Sequence, residues 1–158
     1  MTEFSHINKH QQPSIVNVMD KKVSQRRAVA IASIELPEMM MQKLTAENFN
    51  TAKGSIIHTA IIAGIMGAKK TGELIPLCHP IGLENCEVEI KFNSNSLDIY
   101  ATAEVEAKTG VEMEAMTAVS IAALTIYDMC KALSHDIIIK EIKLMEKTGG
   151  KNDFKRSE

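Results

Sequence analysis

Small apolar residues occupy every second position of a stretch near the N-terminus, namely Ala28, Ala30, Ala32 and Ile34. This alternation predicts a half-buried β-strand over residues 23–36. Pro37 ends the strand, because proline has no N–H for a sheet ladder, and it suits the start of a short helix over 38–44. Residues 48–51 predict a loop. Residues 1–21 are polar and show no period, so they predict a mobile N-terminal arm.

Two later segments have the apolar spacing of helices. Within residues 54–71, apolar positions recur at steps of three and four, and the segment contains Gly64 and Gly67. Interior glycine costs a helix about 1 kcal/mol relative to alanine, so the two glycines indicate close approach of another backbone. Core packing explains this more simply than a ligand contact. Residues 112–133 are rich in Ala, Met and Leu and begin with acids, which predicts a long second helix.

The alternation of apolar and polar residues that is typical of a strand appears again between and after these two helices. Residues 87–92 and 97–107, joined by a turn at 93–95, predict a hairpin. Residues 71–80 predict an irregular link, and residues 136–145 a last strand. The order β-α-β-β-α-β predicts an α+β fold of the ferredoxin-like type, an antiparallel sheet with two long helices on one face.

Composition restricts the class of function. A chain of 158 residues with net charge −2 suits one domain, predicted at 22–151 between the arm and a polar tail at 152–158. The near-neutral charge and the scarcity of aromatic residues disfavour nucleic-acid binding. The polar start predicts no secretory signal, and the apolar run at 59–68, about ten residues, is too short for a membrane span. Three widely spaced cysteines fit free thiols in the cytoplasm, and their spacing predicts no metal site.

Asp128 and Lys131 are three residues apart on the second long helix and therefore share a face. A solvated ion pair is the simpler interpretation. The alternative is that the apolar neighbours Tyr127 and Met129 desolvate Asp128. Burial would then raise the pKa of this carboxyl while Lys131 lowers it, a balance that suits a general acid or base.

Glu112 and Glu114 begin the same helix, where acids favour the helix dipole and need no further role. Glu114 precedes Asp128 by fourteen residues, which is about 21 Å along the axis with an angular offset of about 40°. The two carboxylates therefore line one face but are too far apart for one small molecule. If both act, a long substrate or a second subunit must connect them.

Three further positions carry weaker signals. His79 precedes Pro80, so its backbone is predicted to be extended, and its imidazole can exchange protons near neutral pH, although a loop histidine without a role is as simple. Lys53 precedes a helix start, which favours anions. The segment 147–151 has a lysine at each end and two glycines, so its N–H and ammonium groups could hold phosphate, although flexible basic tails are common.

Several strings taken together resemble the cyclic pyranopterin monophosphate synthase family, the C protein of early molybdenum cofactor biosynthesis. They are KG at 53–54, LIPLCHP at 74–80, TGVEMEA at 109–115, LTIYDMCKA at 124–132 and GGK at 149–151. LCHP and TGVEMEA in this order are highly specific, and the likeness covers nearly the whole chain.

The resemblance implies a cytoplasmic lyase. Its members rearrange a 3′,8-cyclic dihydroguanosine triphosphate to cyclic pyranopterin monophosphate and release pyrophosphate, which needs no redox cofactor. It also implies a ferredoxin-like homo-hexamer, a trimer of dimers, with sites between subunits. It implies neither a nucleic-acid nor a membrane partner.

Matching positions imply the roles of individual residues. The implied catalytic residues are Asp128, Lys131, Lys53 and His79. The implied substrate-binding residues are Leu77, Cys78, His79, Met113 and Glu114, with Glu112 and Lys147 as further candidates. Ser55 and Thr148 stand where the family more often has Asp and Ser, and Ser55 weakens any expectation of a carboxylate near Lys53.

Two other classes of protein remain open on the residues alone. One is a non-catalytic nucleotide-binding or assembly module, which would not need an Asp–Lys pair within an apolar helix segment. The other is an RNA-binding sheet, which would stack bases on aromatic residues. Only Phe92 and Tyr100 are candidates for such stacking.

Overall fold

A computed structural model of the chain describes residues 6–157. In chain order its elements are β1 (Ser24–Glu35), α1 (Glu38–Ala46), β2 (Asn50–Thr51), β3 (Gly54–Ser55), α2 (Ile56–Lys69), α3 (Thr71–Leu74), β4 (Asn85–Phe92), β5 (Ser96–Ala107), α4 (Glu112–Cys130), β6 (Ile138–Thr148) and β7 (Phe154–Lys155). Five strands form one sheet in the order β4-β5-β1-β6-β7, and every neighbouring pair is antiparallel. The predicted α+β class is confirmed.

β1 lies at the centre of the sheet and is paired along its whole length with β5. Its even-numbered residues from Ala28 to Ile34 are fully buried, as the alternation predicted. Their partners Ala101 and Ala103 on β5 are equally buried. Helix α4 lies on this face and buries its own small residues, among them Ala115, Ala118, Ala122 and Ala123. Alanine on both surfaces lets the helix backbone come close to the sheet.

The two long helices pack against each other through the glycines of α2. A Cβ atom at Gly64 would lie 2.9 Å from the Ala118 carbonyl oxygen, and one at Gly67 would lie 2.7 Å from Ile121 Cγ1. Both glycines therefore serve helix contact. The prediction of close backbone approach is confirmed for Gly64, whereas Gly67 makes room for the side chain of Ile121. Because α2 contacts α4 and β4, it extends the helical layer across the same side of the sheet.

Some boundaries differ from the predictions. The predicted irregular link at 71–80 begins with the one-turn helix α3, in which the buried Thr71 hydroxyl donates to the Ala68 carbonyl at 2.9 Å. The predicted loop at 48–51 overlaps the short hairpin of β2 and β3. α4 ends at Cys130, three residues early, and β6 runs on to Thr148. One-turn helices and two-residue strands are too short to show a period.

The described parts of both terminal segments contact the folded body. In the segment predicted as a tail, the β7 residues pair with β6, and the Arg156 N–H donates to the Met145 carbonyl at 2.8 Å. In the segment predicted as an arm, the Met19 carbonyl accepts a hydrogen bond from Lys108 Nζ at 2.7 Å. Residues 1–5 of that arm lie outside the described residues.

Helix α4 is the one element within residues 6–157 whose length and apolar composition would allow it to cross a membrane. On sequence alone, only the apolar run at 59–68 was considered as a membrane span, and it is too short to cross a bilayer. Half of α4 is buried inside the protein, where it packs on β1, β5 and α2. A helix that packs in the core of a protein can be as long and as apolar as a membrane span, so length and composition alone do not make α4 one.

Replacing Gly64 with alanine tests the contact between the long helices. The new methyl group would meet the Ala118 carbonyl oxygen, which belongs to a helix backbone and cannot move freely. We expect Gly64→Ala to lower the free energy of unfolding by about 1–2 kcal/mol in urea titrations, because overpacking outweighs the gain in helix propensity. Gly82→Ala is the control, since a Cβ there meets nothing within 4 Å. Equal stability of both variants would contradict close helix packing.

Candidate active site

A cavity of about 440 Å³ opens where the link before β4, the start of α4, the end of β6 and the N-terminal arm meet. Its wall contains all seven residues of the predicted substrate-binding set, which we call the pocket group. They are Leu77, Cys78, His79, Glu112, Met113, Glu114 and Lys147. The LCHP and VEMEA strings, distant in sequence, thus face one space.

Glu114 is the most deeply buried acid of the cavity, with 3% of its surface exposed. The pKa of its carboxyl is raised to about 7, chiefly because burial disfavours the charged form; a hydrogen bond with its own backbone opposes this rise, and the nearby charge of Glu112 contributes to it. Burial likewise raises the pKa of the Cys78 thiol, with a contribution from Glu114. At neutral pH Glu114 is therefore close to half protonated and can both donate and accept hydrogen bonds.

Glu112 turns to a different side of the helix and forms an ion pair with Lys147, with a distance of 3.0 Å between Oε1 and Nζ. Both side chains are about one-third exposed at the cavity wall. An entering phosphate would compete with Glu112 for this ammonium group. The pair fixes the position of the Lys147 ammonium group at the cavity wall.

The loop after β6 is folded tightly against β1. Gly149 has φ of +81°, and a Cβ there would collide with the Gln25 carbonyl oxygen. Its N–H donates to Asp153 Oδ1 at 3.0 Å, and its carbonyl accepts from the Ser24 hydroxyl at 2.9 Å. The Gly149 N–H is thus already paired, and the phosphate-binding role considered for the segment 147–151 stays a prediction that would depend on its other N–H groups and its two lysines. Lys151 does line the cavity.

Four further basic residues line the cavity that the sequence did not single out: Lys21, Arg26, Arg27 and Lys108. Arg27 forms ion pairs with Glu104 and Glu146. Within residues 6–157, none of the other three has a carboxylate within 4.0 Å, and neither does Lys151. They come from the arm, β1 and the end of β5, so only the tertiary fold brings them together. The cavity therefore carries excess positive charge although the chain is slightly acidic.

Asp128 and Lys131 form the predicted pair, with 2.6 Å between Oδ1 and Nζ. The simpler interpretation, a solvated ion pair, is confirmed, and the alternative of a desolvated Asp128 is wrong, because the Asp128 side chain is 70% exposed. The hydrogen bond and charge of Lys131 lower the pKa of Asp128, and the charge of Lys53 lowers it further. The same pair raises the pKa of Lys131. We call these three residues the helix-end group.

The helix-end group is separate from the cavity. None of its members is among the residues that line the cavity wall. Glu114 and Asp128 lie near opposite ends of α4, about 21 Å apart along its axis. Of the predicted site residues, the structure thus brings together the pocket group, including His79, and leaves Asp128, Lys131 and Lys53 elsewhere.

His79 is held by the N-terminal arm. Its Nε2 lies 2.8 Å from the main-chain carbonyl oxygen of Val16, and Val16 also lines the cavity. In the described part of the chain, no group of three or more His, Cys, Asp or Glu side chains is arranged to hold a metal ion.

Comparisons with known proteins identify one family of similar sequences. A model of the MoaC family matches residues 15–150. The cyclic pyranopterin monophosphate synthase of Xanthomonas campestris pv. campestris (strain B100) is 45% identical over 96% of this chain and 92% of its own length. The enzyme of that name from Staphylococcus aureus (strain Newman) is 46% identical over 99% and 98%.

A longer relative contains a similar region. The molybdenum cofactor biosynthesis bifunctional protein of Synechocystis sp. is 46% identical over 98% of this chain but only 46% of its own length. The chain thus spans about half of that protein, whereas it spans nearly all of the two synthases.

Glu114 should make stability depend on pH. Its pKa is raised in the folded state from 4.5 to about 7, so the folded protein holds a proton that the unfolded chain has lost, and stability falls as pH rises through this window. We expect Glu114→Gln to be more stable than the parent at pH 8, on the order of 2 kcal/mol, and similar at pH 5, by urea unfolding. Glu87→Gln, at an exposed strand position, is the control. A Glu114→Gln variant that keeps the parent's pH dependence would contradict the burial argument.

Proposed function

The chain belongs to the MoaC family, and from this we propose that it is a cyclic pyranopterin monophosphate synthase. The reaction converts a 3′,8-cyclic dihydroguanosine triphosphate to cyclic pyranopterin monophosphate and releases pyrophosphate, which makes the enzyme a lyase. We propose that it acts in the cytoplasm, on a ferredoxin-like catalytic domain at 22–151. The strand order of β4, β5, β1 and β6 supports that fold type.

The excess of basic groups in the cavity is the observation that carries the proposal. A triphosphate needs several cations to bind it and to stabilise the charge of the leaving pyrophosphate. Lys21, Arg26, Lys108 and Lys151 supply that charge without a carboxylate partner within residues 6–157. A neutral or weakly acidic substrate would not require them.

The rest of the cavity suits the purine-derived ring. Leu77 and Met113 offer apolar contact at its wall, and Met113 is partly exposed there. Glu114, close to half protonated at neutral pH, can pair with ring N–H groups as an acceptor or with ring nitrogens as a donor. Such binding needs no aromatic stack, and the chain contains no Trp.

An RNA-binding role has less support. The Phe92 ring packs edge-on against Phe49 with 4.9 Å between ring centroids. The Lys91 ammonium group lies over the Tyr100 ring at 4.7 Å. Both aromatic side chains that were candidates for stacking therefore already have a partner, and base stacking would have to displace it.

We assign proton transfer to the helix-end group. Asp128 with a lowered pKa is ionised at neutral pH and can accept a proton, while Lys131 is protonated and can donate one. An exposed pair in water has little chemical effect, because solvent screens both charges. The pair needs a surface that covers it and excludes water.

A second copy of the chain can supply that cover. If the cavity of one subunit faces the helix-end group of another, the separation along α4 no longer prevents one substrate from reaching both. Exposed apolar side chains on α2 and α4, namely Ile62, Met66 and Leu124, support such contact. We propose a homo-hexamer, a trimer of dimers, with each site shared between subunits.

Asp128→Asn tests the role of the helix-end group. The variant keeps the shape of the side chain but removes the carboxylate that accepts the proton. We expect pyrophosphate release from the cyclic triphosphate to slow by about 100-fold or more with a similar KM, because the cavity still binds the triphosphate. Asp136→Asn, which changes an exposed carboxylate after α4, is the control. Release at the parent rate would remove Asp128 from the mechanism.

Mixing two strongly impaired variants tests the shared site. Asp128→Asn retains an intact cavity, and His79→Ala retains an intact helix-end group. If each site combines the two groups from different subunits, co-assembly of equal amounts should restore about a quarter of the parent activity, because one site in four receives both intact groups. Verified mixed oligomers that are no more active than the separate variants would show that one chain supplies both groups.

A further inference from the structure

We propose that the main-chain carbonyl of Val16, in the N-terminal arm, is a positioning group for His79. It holds the hydrogen of the neutral imidazole on Nε2 and leaves Nδ1 free to accept a proton. The kinetic consequence rests on the proposed function, whereas the hydrogen bond itself can be tested without any substrate.

The geometry fixes which nitrogen carries the hydrogen. A carbonyl oxygen only accepts hydrogen bonds, so the 2.8 Å contact requires an N–H at Nε2. A neutral imidazole has one N–H, and therefore its Nδ1 has a free lone pair. Within residues 6–157, no group donates a hydrogen bond to Nδ1. His79 is thus prepared to accept a proton rather than to donate one from that nitrogen.

The arm is built to keep the carbonyl in place. Its side chains alternate, with Ser14, Val16 and Val18 half-buried and the residues between them exposed. This pattern is that of an extended segment lying on the body. Three residues after Val16, the Met19 carbonyl accepts a hydrogen bond from Lys108 Nζ at 2.7 Å. The Met19 N–H donates to the Asn17 side chain at 2.9 Å, which closes a local turn.

The hydrogen bond between His79 and the Val16 carbonyl resembles those in other enzymes, where a further group orients the base that accepts the substrate's proton. When Nδ1 accepts a proton from the substrate, the ring becomes a cation with an N–H on each nitrogen. The bond from Nε2 to Val16 then becomes charge-assisted and stronger, which favours the protonated product of that step. No proton passes to Val16, and the proton taken from the substrate stays on Nδ1 until it is returned.

Two deletions that differ by four residues provide a matched test. Deletion of residues 1–13 leaves Val16 in place, and deletion of residues 1–17 removes it. In ¹H–¹⁵N spectra that correlate ring nitrogens and protons, we expect the full chain and the shorter deletion to show His79 with its hydrogen on Nε2, protected from exchange with water. In the longer deletion this signal should disappear through exchange. Unchanged thermal unfolding of both deletions confirms that the domain remains folded.

A double-mutant cycle, in which kcat of the two deletions is compared with and without His79→Ala, tests whether the arm acts through His79. We expect the longer deletion to lower kcat on the order of tenfold or more relative to the shorter one, since the base loses its orientation. In a His79→Ala background, the same pair of deletions should differ by less than about twofold, because coupled residues are not additive. An arm that contacts the substrate directly would lower the rate equally in both backgrounds.

The outcomes separate this proposal from the proposed function. Hydrogen on Nδ1 in the full chain, or equal protection of Nε2–H in both deletions, would overturn the proposal whatever the activity. Equal kinetic effects with and without His79 would overturn the positioning role. If the full chain does not turn over the cyclic triphosphate, the proposed function fails while the spectra still decide the hydrogen bond.

Discussion

The close packing of α4 on the alanine-lined centre of the sheet determines where every candidate site residue lies. β1 and β5 present small side chains to the helix, and the helix presents alanines in return. The backbone of α2 then contacts α4 at Gly64. With so little space between these elements, α4 has one position and one rotation. Glu114 and Asp128 lie on the same side of α4, but the cavity wall covers only the end of the helix that carries Glu114, so Glu114 is buried and Asp128 is exposed to solvent.

Because α4 is a rigid helix, it fixes the distance between the pocket group and the helix-end group as well as their orientation. The pocket group lies around the first turn of α4, and the helix-end group lies around its last turn, about 21 Å away. The helix interior between them is buried and holds no charged side chain. In the proposed mechanism each group alone is chemically incomplete, because the cavity lacks the Asp–Lys pair and the pair is screened by water without a cover. The proposed assembly of subunits would resolve both deficiencies at once.

The sequence predicted the fold well where a strand or helix was long enough to repeat its apolar period several times. The alternation in β1, the hairpin of β4 and β5, and both long helices follow directly from the spacing of apolar residues. The order of those elements gave the α+β class. Short elements such as α3 and β7 were missed because four or fewer residues show no period. The strand pairing of Phe154 depends on contacts with β6 that no local pattern reveals.

The site could be predicted only in part, and its prediction depended on recognisable strings rather than on the spacing of apolar residues. Recognisable strings selected the pocket group, which spacing alone could not have assembled from three distant segments. The apolar neighbours of Asp128 in sequence suggested burial, but a helix places neighbours on different faces, so the inference of desolvation failed. Lys21, Arg26 and Lys108 were missed because net charge is a sum over the chain and hides local charge. Val16 was missed because its carbonyl, not its side chain, makes the contact.

A crystal structure of the Asp128→Asn variant with the bound cyclic triphosphate tests the central claim most directly. The account predicts that one substrate molecule contacts Lys147 and Glu114 of one subunit while residue 128 and Lys131 from a neighbouring subunit lie at the reacting ring. A substrate bound in the cavity of a single subunit, with residue 128 of every subunit still exposed to solvent, would contradict it.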